Sequence, residues 1–247
     1  MKTKGKIIGV LNSKGGVGKS TLALHIAMCM YHNRNFNPEK NKNRVVVLDT
    51  DIPQYSLSNL RKIELDFLKN NLTSSFNKKL DSLYTESFPP LIINSLLIND
   101  MIENIELIKD NYDFAIVDVV GTINSEDFNE DFLNCFDYIV VPMNAEFEPS
   151  RSTIEFVETV IIPSSKKYNF NYDVVLNNIH FSKENYSKGL VNILKNNGFN
   201  FLNTLISKKD KYIKYKFEDS TGMYSSLIST YDAPIYDLVD EIIKKNN

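Results

Sequence analysis

The stretch NSKGGVGKSTLAL, residues 12–24, constrains this chain more than any other. It joins a short apolar run, KIIGVL (6–11), to a helical pattern, STLALHIAMCMYH (20–32). Between them Gly15, Gly16 and Gly18 allow positive φ and close backbone approach, which side chains with a Cβ resist. The turn delivers a helix whose first N–H groups lack partners and whose positive dipole end points the same way. Strand, glycine turn and helix N-terminus together predict a phosphate-binding loop. In that reading Gly15, Gly16, Val17 and Gly18 cradle phosphate with Thr21, Lys19 reaches the β- and γ-phosphates, and Ser20 ligates Mg²⁺.

The remainder of the chain predicts the surroundings such a loop requires. Continuous apolar runs at KIIGVL (6–11), RVVVLD (44–49), FAIVD (114–118), YIVVP (138–142), YDVVLN (172–177) and FLNTLI (201–206) read as strands covered on both faces. Helical patterns alternate with them at 20–32, 56–70, 95–110, 152–161 and 185–197, and a last one occupies 234–247. Alternation of this kind implies right-handed crossovers and a mostly parallel, twisted sheet with helices on both faces, the α/β P-loop NTPase fold. The expectation is one domain over 1–247, with Asn-, Ser- and Lys-rich insertions near 33–44 and 70–90.

Composition excludes several functional classes. A net charge of −3 makes any nucleic-acid binding a matter of a local patch. Two cysteines, Cys29 and Cys135, lack CxxC spacing, which argues against a thiolate metal cage or a disulfide scaffold. His25, His32 and His180 have no metal-ligand spacing either. No apolar run approaches the roughly 18 residues of a spanning helix. The expected location is cytoplasmic.

Where the general phosphate-loop pattern places its first glycine, this chain has Ser13, followed by Lys14. The string KGGVGKST thereby resembles the deviant Walker A motif of the ParA/MinD family of ATPases. The resemblance implies that Lys14 crosses a dimer interface to touch the nucleotide of the partner subunit, so that closure is favourable only while ATP is present. VVVLDTDIPQ (45–54) resembles the family's second motif, which implies Asp49 near Mg²⁺ through water and Asp51 orienting the attacking water. This chain departs from it by inserting Ile52 between Asp51 and Pro53. YDFAIVDVVGT (112–122) resembles Walker B, which implies Asp118 in the metal shell and Gly121 near the γ-phosphate. The resemblance also puts Asn177, in VVLNNI, against the edge of adenine; SKKD (207–210) is a near miss to a guanine-reading pattern, one strand late. The expected cofactors are ATP and Mg²⁺.

Within the family, the acidic last helix argues against a membrane-cycling type. The segments DTDIPQYSL, DVVGTINSEDF and DKYIKYKFE are similar to ParA-like proteins of the TraA type from transfer regions of Bacteroidetes conjugative elements. This implies an ATP-dependent homodimer, a ParB-like or other stimulating partner, and a role in DNA partition or transfer. The candidate patch for non-specific DNA is Lys208, Lys209, Lys211, Lys214 and Lys216, interleaved with Tyr212 and Tyr215. The alternative is a nucleotide-dependent protein scaffold with little ATPase activity, docking through the acidic stretch NSEDFNEDF (124–132).

Overall fold

The computed structural model describes residues 4–32, 44–71, 75–86, 88–119, 130–145, 147–209, 215–216, 221–222, 225–227 and 232–246. The expected insertion at 33–44 therefore lies, except for Arg44, outside the described residues, as do Gly121 and residues 124–129.

Six expected strands form: β1 (Lys6–Val10), β2 (Val45–Asp49), β4 (Phe114–Asp118), β5 (Tyr138–Asn144), β6 (Asn171–Ile179) and β7 (Phe201–Ser207). A seventh, β3 (Ile92–Ser95), was not foreseen, because only four residues pair and their side chains stay largely exposed at the sheet edge. The order is β3-β2-β4-β1-β5-β6-β7, and each neighbouring pair is parallel. The central position of β1, between β4 and β5, explains its uninterrupted apolar sequence, since both faces are covered.

One face carries α1 (Lys19–His32), α2 (Ser56–Asn70) and α10 (Ala233–Asn246). Leu22, Ile26 and Met30 of α1 pack there with Leu57 of α2 and with Leu238 and Ile242 of α10. The opposite face carries α4 (Ile98–Glu103), α5 (Ile105–Asn111), α6 (Glu130–Asn134), α7 (Phe147–Phe156) and α9 (Glu184–Asn196). Met101, Ile108, Phe132, Phe156 and Leu194 bury against the sheet on that side. The expected helix over 95–110 is broken at Asn104 into α4 and α5. The expected helix over 152–161 is longer: α7 runs through a π-helical turn (Val157–Ile161) into α8 (Ile162–Tyr168).

The stretch 70–90 also departs from expectation. Residues 75–83 form α3 (Ser75–Leu83), whose Phe76 and Leu80 are buried against Leu227. Its Asn, Ser and Lys content hid an (i, i+4) apolar pair that also packs against Phe67 and Leu68 of α2.

Two charged side chains of α2 hold that distant segment. Glu64, fully buried, accepts hydrogen bonds from the Ser225 and Ser226 hydroxyls and from the Ser226 N–H at 2.9 Å. Arg61 donates to Ser226 Oγ at 2.7 Å and to the Leu91 carbonyl at 2.8 Å. Burial pushes the Glu64 carboxyl up and the Arg61 guanidinium down, and each charge opposes the shift of the other. Removing one member of such a pair strands the other in the interior. Glu64→Ala is expected to lower unfolding free energy by about 3–5 kcal/mol, measured by urea denaturation; a loss below about 1 kcal/mol, the range of an exposed pair, would contradict the clasp.

Candidate functional site

The carboxyl ends of β1, β2 and β4 bring the predicted residues together. Val10 lies opposite Asp118 in the β1–β4 register, and Asp49 lies opposite Asp118 in the β2–β4 register. Thr50 ties the two strand ends, its N–H and hydroxyl both donating to the Asp118 carbonyl at 3.0 and 2.9 Å. The glycine loop leaves β1 directly above them.

Gly16 and Gly18 adopt φ of 74° and 91°, the left-handed region that the glycine spacing predicts. At Gly18 there is a second reason for glycine: a Cβ would stand 2.4 Å from Asn177 Nδ2. No described residue accepts a hydrogen bond from the backbone N–H groups of Gly15 through Thr21. Seven successive free donors at a helix N-terminus form an anion cradle.

Lys19 is largely buried, and its Nζ donates to the Lys14 carbonyl at 3.1 Å. Burial pulls its ammonium pKa down, against the opposing pull of the Asp118 and Asp51 carboxylates. Lys14 behaves oppositely. Its side chain is exposed and pairs with no described residue, while its N–H donates to Asn12 Oδ1 at 2.8 Å.

The three aspartates differ in environment. Asp118 is fully buried, and among the described residues neither of its carboxylate oxygens has a hydrogen-bond partner. Burial pushes its carboxyl up to about 7; the Ser20 hydroxyl and Lys19 oppose that shift, and Asp49 and Asp51 add to it. The Ser20 hydroxyl is thus near enough to act on Asp118 without reaching full hydrogen-bond geometry. Asp49, also fully buried, accepts from the N–H groups of Leu57 and Ser58 at 3.1 and 2.8 Å. It therefore caps the first turn of α2 from seven residues upstream of the helix start, a role invisible in the local pattern. Asp51 accepts from the Ser56 hydroxyl at 3.2 Å. The extra Ile52 is taken up in the turn before α2, where Tyr55 has a φ of 43°. Asp51 still lies near enough to Lys19 and Asp118 to act on both.

An orphaned carboxylate beside a hydroxyl and a second carboxylate fits a hard divalent cation that keeps most of its shell in water and phosphate oxygens. Among the described residues no group of three or more His, Cys, Asp or Glu side chains forms a metal cage by itself. The donor set that fits is Ser20, Asp118 and, through water, Asp49.

Beside the loop, on the α1 and α10 face, opens a cavity of about 350 Å³ lined by Gly18, Thr21, His25, Asn177, Ile206 and Ile235. Ser207, Lys208 and Lys209, from the guanine-like string, line its rim. Asn177 donates through Nδ2 to the Val17 carbonyl at 2.8 Å, and its Oδ1 bonds to no described residue. Of the proposed basic patch, Lys209 pairs with Asp232 at 3.3 Å. Lys211 and Lys214 lie outside the described residues, and Lys216, in the short strand β8 (Tyr215–Lys216) paired with β9 (Thr221–Gly222), is described in backbone only. The sequence reading missed Asn12, Thr153 and Pro142, which are joined through the Asn12 amide to the Lys14 N–H; an asparagine two residues before Lys14 was the one available signal.

Comparison with known proteins bears on the fold. The ParA family model, described as NUBPL iron-transfer P-loop NTPase, matches residues 3–106. An uncharacterized protein of Methanocaldococcus jannaschii is 28% identical over 208 residues, which cover 74% of each chain. A protein of Borrelia burgdorferi described as a plasmid partition protein, bound to AMPPNP, superposes with a TM-score of 0.60 at 22% identity, covering 99% of this chain and 100% of that one. The MinD cell division protein of Aquifex aeolicus gives 0.58 at 19%, with 97% of each chain covered. A variant McdA of Cyanothece in complex with ATP gives 0.61 at 13%, covering 99% of this chain and 97% of that one. The chain has the P-loop NTPase fold these proteins share.

If Asp118 is held for a cation, its charge is a burden to the protein alone. Asp118→Asn is expected to raise the melting temperature of the nucleotide-free protein, by a stability gain of about 1–3 kcal/mol, while weakening Mg²⁺-dependent nucleotide binding. A variant less stable than wild type by calorimetric melting would contradict the orphan carboxylate.

Proposed function

We propose that the chain is a ParA/MinD-type ATPase, one domain over residues 1–247, that binds Mg·ATP, dimerises around it and hydrolyses it slowly. The observation that carries this reading is the set of free N–H groups from Gly15 to Thr21 facing a buried, unpartnered Asp118. An anion with its own divalent cation answers both features at once. The matches to the ParA family model and to the AMPPNP-bound Borrelia protein support it.

In this reading the triphosphate draws the Lys19 ammonium away from the neutral Lys14 carbonyl, because an ionic acceptor is the stronger partner. Mg²⁺, when bound, neutralises charge that develops between the β- and γ-phosphates. Asp51 holds the attacking water, and the Ser56 hydroxyl orients Asp51. Lys14 adds a cation from across the interface, so that two triphosphates can face each other. Hydrolysis then removes the reason for the dimer to persist, which makes the enzyme a timer.

The base is adenine. Because Asn177 Nδ2 is held by the Val17 carbonyl, Oδ1 is the free end, and it accepts from an exocyclic amine where guanine presents a carbonyl. Iron transfer, named in the family description, is not carried over: Cys29 and Cys135 pack into cores on opposite faces of the sheet, and burial pushes their thiols up to about 12 and about 11.

The cellular role in this proposal is partition or transfer of a plasmid or conjugative element in the cytoplasm, with a ParB-like stimulating partner. The likeness to the Borrelia protein described as a plasmid partition protein supports it. No described helix is long and apolar enough to cross a membrane. DNA contact through phosphates would use Lys208, Lys211, Lys214 and Lys216; Lys209 is already partly neutralised by Asp232.

Two outcomes follow. Asp51→Ala protein is expected to elute as a dimer with Mg·ATP and a monomer with Mg·ADP in size-exclusion chromatography with light scattering. A monomer in both states, with ATP bound, would refute the dimer. The ATP dimer is further expected to be retained on non-specific DNA in a salt-sensitive way; dimerisation without retention would favour the scaffold alternative. For the base, Asn177→Ala is expected to weaken ATP binding about fivefold and to erase the preference over GTP, as one hydrogen bond is worth. Undiminished discrimination in competition binding would remove Asn177 from base reading.

A further inference from the structure

The exposed Lys14 side chain rises from a backbone that is held on both sides. Its carbonyl accepts Lys19 Nζ at 3.1 Å, and its N–H donates to Asn12 Oδ1 at 2.8 Å. Alone in the stretch from Lys14 to Thr21, the Lys14 N–H is directed at a protein acceptor rather than left to an anion. That bond turns the Lys14 residue away from the cradle its neighbours form.

Asn12 is itself fully engaged and almost fully buried, at 3% exposure. Its Nδ2 donates to the Pro142 carbonyl of β5 at 2.7 Å and to Thr153 Oγ1 of α7 at 2.8 Å. A carbonyl can only accept, so Nδ2 must face Pro142 and Oδ1 must face Lys14; the amide has one orientation. An apolar residue at position 12 would leave the Lys14 N–H without this partner and would leave the buried Pro142 carbonyl without its amide donor, at the cost of an unpaired interior group. One side chain thus joins the loop, a central strand and a helix that are 130 and 141 residues apart.

We propose that Asn12 is a positioning residue for the trans-acting lysine: anchored by Pro142 and Thr153, it fixes the backbone from which Lys14 reaches the partner's nucleotide. The inference rests on the proposed ATP-dependent dimer and adds the residues that aim its lysine. Asn12 touches no reacting atom. Its effect passes through Lys14 alone, which separates it from a residue that merely supports the fold.

The test uses full-length protein carrying Asp51→Ala, with Mg·ATP, by sedimentation equilibrium for the dimer and calorimetry for ATP affinity. Thr153→Val removes the hydroxyl at nearly constant shape, and Thr153→Ser keeps it. Asn12→Ala and Thr153→Val are expected to weaken the dimer about threefold to tenfold, as loss of one buried hydrogen bond implies, with ATP affinity unchanged and Thr153→Ser at parental values. In a Lys14→Ala background the same substitutions are expected to have no further effect, since groups acting through one residue are not additive. Parental dimerisation in Thr153→Val and Asn12→Ala would overturn the proposal, and so would a loss that persists on top of Lys14→Ala. If Lys14→Ala itself leaves the ATP dimer intact, the dimer mechanism fails and the positioning role falls with it.

Discussion

A buried carboxylate without a partner is the least comfortable group a protein interior can hold. Asp118 occupies that position at the end of the central β4 strand, and the neighbouring design makes sense around it. On one side stand backbone N–H groups that need an anion; on the other stands an acid that needs a cation. Among the described residues neither demand is met, and in the proposed function a magnesium-bound polyphosphate meets both together. The rest of the fold keeps these two demands a fixed distance apart: β1 sits between β4 and β5, so the loop and the aspartate leave adjacent strands at the same level.

The same economy of contacts recurs around the site. Asp49 both lies opposite Asp118 and caps α2, so the helix that carries the Arg61–Glu64 clasp begins at the proposed cation site. Asn177 both borders the cavity and holds the loop carbonyl at Val17, so the proposed base and phosphate sites share one side chain.

Much of this was legible in the sequence, for reasons that differ by residue. Gly16 and Gly18 were readable because a tight strand-to-helix turn demands positive φ, and the turn is local. Six strands were readable because burial on both faces writes a continuous apolar run. The edge strand β3 escaped, since a strand of four exposed residues carries no such signature. Helix α3 escaped because one apolar pair, Phe76 and Leu80, is a weak signature in a polar stretch, and part of its cover comes from Leu227, about 150 residues further on. No pattern near residue 49 announces that its carboxylate caps a helix either, because an N-cap is ordinarily read at the helix start and not seven residues before it. Long-range hydrogen bonds such as Asn12 to Thr153 leave one asparagine and one threonine in the sequence, with nothing to link them.

The central claim is that the loop and Asp118 form a single site for Mg·ATP, and calorimetric titration of ATP tests it most directly. Wild-type protein is expected to bind ATP tightly in a way that depends on Mg²⁺ and is lost in Lys19→Ala. Undiminished ATP affinity in Lys19→Ala, or binding indifferent to Mg²⁺, would contradict it.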